Sequence, residues 1–65
     1  MEFRQETLLS DAGKFILNFS DEEGRVRWEL RHVASGLAQS GIADTEKDAL
    51  RDARDIISAW DRTFP

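Results

Sequence analysis

The chain has no cysteine and a single histidine, His32. Disulfides and metal clusters, the usual reinforcements of very small domains, are therefore not expected. No apolar run approaches the roughly 18 residues of a membrane-spanning helix, and the acidic start, with Glu2 and Glu6, is unlike the basic and apolar opening of a secretory leader. A reducing, cytoplasmic setting is the expectation. There is no basic excess either: 9 Lys and Arg against 13 Asp and Glu give a net charge of -4. That balance disfavours the phosphate-neutralising surface on which non-specific nucleic-acid affinity rests. What the 65 residues do contain is 40% hydrophobic and 34% charged side chains, with two Trp and four Phe. This is a globular composition, enough for one domain with a thin core and no deep catalytic cleft.

Three glycines close short polar clusters, Asp11-Ala12-Gly13, Asp21-Glu22-Glu23-Gly24 and Ala34-Ser35-Gly36, and each predicts a hairpin loop of three to five residues. Between them the pattern alternates. Phe15, Leu17 and Phe19 oppose Ile16 and Asn18, and Val26, Trp28 and Leu30 oppose Arg25, Arg27, Glu29 and Arg31. Residues 2–9 alternate less cleanly, with Phe3, Thr7 and Leu9 opposite Glu2, Arg4 and Glu6, and are read as an edge strand. Residues 37–43 are small and polar with Gly41 inside, so bulged or irregular backbone is expected there.

From Thr45 the period changes to threes and fours: Ala49, Leu50, Ala53, Ile56, Ile57 and Trp60 form the stripe of an amphipathic helix over about residues 46–61. Thr45 with Asp48 makes a capping-box-like start, and Asp44 and Glu46 place negative charge where the helix dipole favours it. Pro65 cannot continue the helix, and Phe64 is expected to fold back over the apolar contact. The fold class is thus α+β: an antiparallel meander of three to four strands, about 2–9, 14–19, 25–33 and 37–43, with the helix packed on one face. The expected core is Phe15, Leu17, Phe19, Val26, Trp28, Leu30, Leu50, Ala53, Ile56, Ile57 and Trp60. The other sheet face, assigned Arg4, Ile16, Asn18, Arg25, Arg27, Glu29 and Arg31, is read as open and wet.

No catalytic residue, metal site or cofactor is expected. His32 lacks a second histidine, and Ser10, Ser20, Ser35, Ser40 and Ser58 lie outside any Gly-x-Ser-x-Gly elbow, so His32 is read as structural at a strand end. Asp44, Glu46, Asp48 and Asp55 have calcium-loop spacing, but Ala49 stands where the loop needs glycine and helical periodicity claims the segment. Gly36 and Gly41 have P-loop spacing, but Ile42 and Ala43 replace the required Lys and Ser or Thr.

Two surfaces remain. The helix carries an acidic row, Asp44, Asp48, Asp52 and Asp55, beside Lys47, Arg51 and Arg54, with pairs Asp48–Arg51 and Arg51–Asp55 expected. Asp44, Asp48, Arg51, Asp52 and Asp55 form the candidate surface for a partner protein; an acidic row imitating phosphates is a variant of the same idea. Arg4, Arg25, Arg27 and Arg31 form the alternative, a nucleic-acid surface on the open sheet.

The stretch Ile42-Ala43-Asp44-Thr45-Glu46-Lys47-Asp48-Ala49-Leu50-Arg51-Asp52-Ala53-Arg54, followed by Trp60, resembles the last strand and helix of small βββα domains of the HicB antitoxin and YegP-like kinds, in which a Thr-x-x-x-Ala helix start is common. The resemblance spans about residues 14–60. It implies the same α+β fold, and for the HicB-like members an inhibited partner protein. The function expected by exclusion is non-enzymatic: binding, and so regulating or blocking, another protein, as small bacterial, plasmid or phage accessory proteins do. Dimerisation through an edge strand or sheet face is also expected.

Overall fold

The structure, a computed structural model, describes residues 3–63. The expectations placed on Glu2, Phe64 and Pro65 fall outside them. The elements follow as β1 (Phe3–Ser10), β2 (Gly13–Glu22), β3 (Arg25–His32), β4 (Ala38–Ala43) and α1 (Glu46–Thr63). All neighbours are antiparallel, and the sheet order is β1-β2-β3-β4. This is the expected α+β meander with one helix.

The first two loops are tighter than three residues. Ser10 pairs with Gly13 across Asp11-Ala12, and Glu22 pairs with Arg25 across Glu23-Gly24. Glu23 and Gly24 both have positive φ, 51° and 80°. That is the twist of a two-residue primed turn, which suits the right-handed twist of the flanking strands, and glycine takes the second position without steric cost.

Turn length fixes register, and register corrects β1. Arg4 lies opposite Phe19, Glu6 opposite Leu17 and Leu8 opposite Phe15, so these three share the helix-side face, while Leu9 points outward and is 78% exposed. The sequence reading put Arg4 on the open face; a two-residue turn turns the strand over relative to that reading. Leu8 then packs against the core margin.

The buried core consists of Phe15, Leu17 and Phe19 from β2, Val26, Trp28 and Leu30 from β3, Ala43 from β4, and Ala49, Ala53 and Ile57 from α1. Leu50, Ile56 and Trp60, expected inside, lie at its margin and are partly buried. Alanines at the centre of the helix stripe let α1 lie close to the aromatic row, and the larger side chains then flank the contact. Thr45 caps α1: its Oγ1 accepts the Asp48 N–H at 3.1 Å.

β4 itself is regular, its pairing with β3 unbroken from Ala38 opposite Arg31 to Ala43 opposite Val26; the irregular backbone of the 37–43 stretch is confined to its start, where the Gly36 N–H, at φ 75°, and the Leu37 carbonyl both bond to His32. Gly41 is there for space. A Cβ at that position would stand 2.8 Å from Trp28 Cζ2. The indole lies over the bare glycine, so the residue that weakened the strand prediction is what admits the largest core side chain.

Candidate functional site

His32 is buried at the end of β3, and both its ring nitrogens are engaged. Nε2 donates to the Ala12 carbonyl at 2.8 Å, leaving Nδ1 to accept from the Ser35 hydroxyl at 2.8 Å and from the Ser35 N–H at 3.3 Å. Its ring packs against Phe15 and Trp60, with centroids 4.9 and 4.6 Å away. The Ala12 N–H is held in turn by Asp61 Oδ1 at 3.0 Å. His32 and Asp61 therefore tie the first hairpin turn, the β3–β4 loop and the end of the helix together. The structural reading of His32 agrees with this geometry. Asp61 was not anticipated, because its partner is a backbone amide 49 residues away that carries no sequence signature.

The arginines are distributed differently from the sequence expectation. Arg25, Arg27 and Arg31 do share the open face, by the alternation of β3. Each meets a carboxylate: Arg25 Nε lies 4.0 Å from Asp44, Arg31 Nη2 lies 3.5 Å from Glu29, and Arg27 donates through Nε and Nη2 to both oxygens of Glu22. The hydrogen bond from Arg27, and then the Arg27 charge, hold the Glu22 carboxyl below its ordinary pKa, and the same hydrogen bond, and then the Glu22 charge, raise that of Arg27. Arg4 is on the other face, its Nη1 2.6 Å from Glu46 Oε1 in the first turn of α1. The fourth member of the proposed basic patch is thus used to hold β1 to the helix start.

The acidic helix row divides as well. Asp48 pairs with Arg51 at 3.2 Å, but the expected Arg51–Asp55 pair is not formed. Helical side chains lean toward the N-terminus, so Arg51 reaches back to Asp48. Asp52 and Asp55 have no salt-bridge partner among the described residues. Helical spacing puts Asp48, Asp52, Asp55 and Ala59 on the flank of α1 beside β4, where Asp55 and Ala59 line a shallow trough with Gln39. Lys47, Arg51 and Arg54 lie outward or toward β1, where Asp55 also borders them, and Arg54 sits near Leu8 and Leu9. The candidate residues Asp48, Asp52 and Asp55 thus share one side of the helix, with Arg51 bonded to Asp48, while Asp44 is drawn off by Arg25.

Beside this flank the surface is apolar. A groove of about 150 Å³ runs between β4 and the second half of α1, lined by Leu30, Leu37, Ile56 and Trp60 among others. An apolar cavity of about that volume takes a benzene-sized group. Among the described residues the exposed large apolar side chains are Leu9, Val33, Leu37 and Ile42; of these Leu37 borders the groove, Ile42 is level with Arg27 on the open face, and Val33 bonds through its N–H to the Lys14 carbonyl of β2. Hydrogen bonding between His32 N–H and the Leu37 carbonyl sets the phase of the β3–β4 ladder, so Gln39, Gly41 and Ala43 bond to β3. The backbone groups of Ala38, Ser40 and Ile42 face out from the edge.

The fold and this edge define a small α+β open-faced domain with one helix-backed sheet margin left apolar. Comparison with protein-family models, curated proteins and solved structures finds no match for the chain. No helix among the described residues is long and apolar enough to cross a membrane.

Proposed function

We propose that the protein is a non-enzymatic module that binds another protein and thereby regulates or blocks it. The observation that carries this reading is an uncovered, uncharged sheet edge, β4, with the apolar groove of Leu37, Ile56 and Trp60 beside it, in a chain otherwise rich in charge. Such a patch marks interaction surfaces in small soluble domains. The nucleic-acid alternative draws less support, because Arg25, Arg27 and Arg31 each face a carboxylate and Arg4 is on the other side of the sheet.

The test is affinity capture from lysate at about 0.15 M salt, with and without nuclease, using the full chain and its Leu37→Glu variant as baits. A stoichiometric protein that survives nuclease and is lost by Leu37→Glu supports the reading. Capture that disappears with nuclease contradicts it and moves the arginine face to first place.

A further inference from the structure

The two edges of the sheet are not equivalent. β1 carries charge on its helix-side face, Arg4 and Glu6, with Arg4 bonded to Glu46. Inward-pointing charges of this kind discourage another strand from adding to an edge. β4, Ala-Gln-Ser-Gly-Ile-Ala, has no charge and no proline, is unbulged, and turns the backbone groups of Ala38, Ser40 and Ile42 outward. It is a template for one more strand.

Resting on the protein-binding reading, we propose that β4 is extended by an extended segment of the partner protein that carries, on the face toward α1, an apolar side chain and then basic side chains two and four residues along. The helix-side positions of β4 are Gln39, Gly41 and Ala43. An incoming side chain level with Gln39 meets the groove of Leu37, Ile56 and Trp60 and takes an apolar group. Positions level with Gly41 and Ala43 meet small residues and, by helical spacing, the side of α1 that carries Asp52 and Asp48, with Asp55 at the Gln39 end, so Lys or Arg is complementary there. A second copy of this chain fits less well. Pairing β4 with itself about a twofold axis sets two helices on the same sheet face with Asp52 and Asp55 of each toward those of the other, and like charges so placed are repulsive.

The experiment selects random linear peptides, displayed on phage, against the immobilised full chain, and then measures synthetic versions of the enriched peptides. Enriched sequences are expected to carry Lys or Arg two and four residues from an apolar residue. Ser40→Pro, which removes an outward N–H without touching the β3 ladder, is expected to weaken them by about tenfold or more, and Asp52→Lys with Asp55→Lys likewise. Thr7→Pro on the opposite edge leaves them unchanged, and thermal melts show which variants keep the fold. No enrichment, acidic or unpatterned peptides, or undiminished binding to folded Ser40→Pro overturns the proposal. So does a dimer in sedimentation that Ser40→Pro dissociates, which gives the edge to a second copy. A nuclease-resistant partner captured equally by the Ser40→Pro bait overturns this inference alone; capture that depends on nucleic acid removes the reading beneath it.

Discussion

Gly41→Ala gives opposite outcomes for two accounts of the same glycine. If Gly41 were an ordinary strand glycine, alanine would stabilise the domain by roughly 0.5–1 kcal/mol through lower chain entropy in the unfolded state. In this structure the new Cβ would lie 2.8 Å from Trp28 Cζ2, 3.0 Å from Cε2 and 3.1 Å from Nε1. The indole is 5% exposed and cannot simply swing away, because it sits among the core side chains of β2, β3 and α1. Overpacking of this kind costs about 1–3 kcal/mol, so the expected net change is a loss of about 1 kcal/mol. For a domain of this size that lowers the thermal midpoint by about 4–8 °C. In a Trp28→Phe background the outer ring is gone, and Gly41→Ala should then stabilise; the difference between the two backgrounds is the coupling energy of the pair. Melts followed by far-UV circular dichroism read all four proteins. A higher midpoint for Gly41→Ala in the parent, or the same shift in both backgrounds, refutes the crowding argument.

Other consequences are open to similar measurement. His32→Leu keeps an apolar side chain but leaves the Ala12 carbonyl and the Ser35 N–H without their partner, and chemical denaturation should show a loss of about 2–4 kcal/mol. Thr45→Ala removes the acceptor for the Asp48 N–H and should cost about 1 kcal/mol, with Thr45→Ser nearly neutral. Arg27→Gln should raise the Glu22 carboxyl midpoint toward that of a free glutamate, read by side-chain NMR. The sign follows from the depressed carboxyl: what the pair contributes is present above the ordinary glutamate pKa and is lost as pH falls through the lowered value. Both groups are solvent-exposed, so the titration rather than the melt is the sensitive readout.

The elements legible in the sequence were those with an unambiguous period. Phe15-Leu17-Phe19 and Val26-Trp28-Leu30 alternate cleanly, and the stripe from Ala49 to Trp60 repeats in threes and fours, so β2, β3 and α1 follow from burial alone. β1 did not, because Phe3 to Leu9 offers apolar residues on both faces and the decision rests with the length of the Asp11-Ala12 turn. Gly41 suggested irregular backbone because its reason lies across the sheet, in Trp28. The acidic row was visible as residue types, but not its division: which of Asp48, Asp52 and Asp55 keeps a cation depends on where Arg51 reaches. The groove beside it was not legible, since Leu37, Ile56 and Trp60 meet only once β4 has become the outer strand.

The account turns on which surface a partner covers, and backbone amide exchange reads that directly. In the free protein the amides of Ala38, Ser40 and Ile42 face away from the β3 ladder and should exchange fast, as should those of Gln5 and Thr7 at the opposite edge. With the captured partner bound, the account predicts protection at Ala38, Ser40 and Ile42 and none at Gln5 and Thr7; protection at the β1 edge, with Ser40 still exchanging as in the free chain, would contradict it.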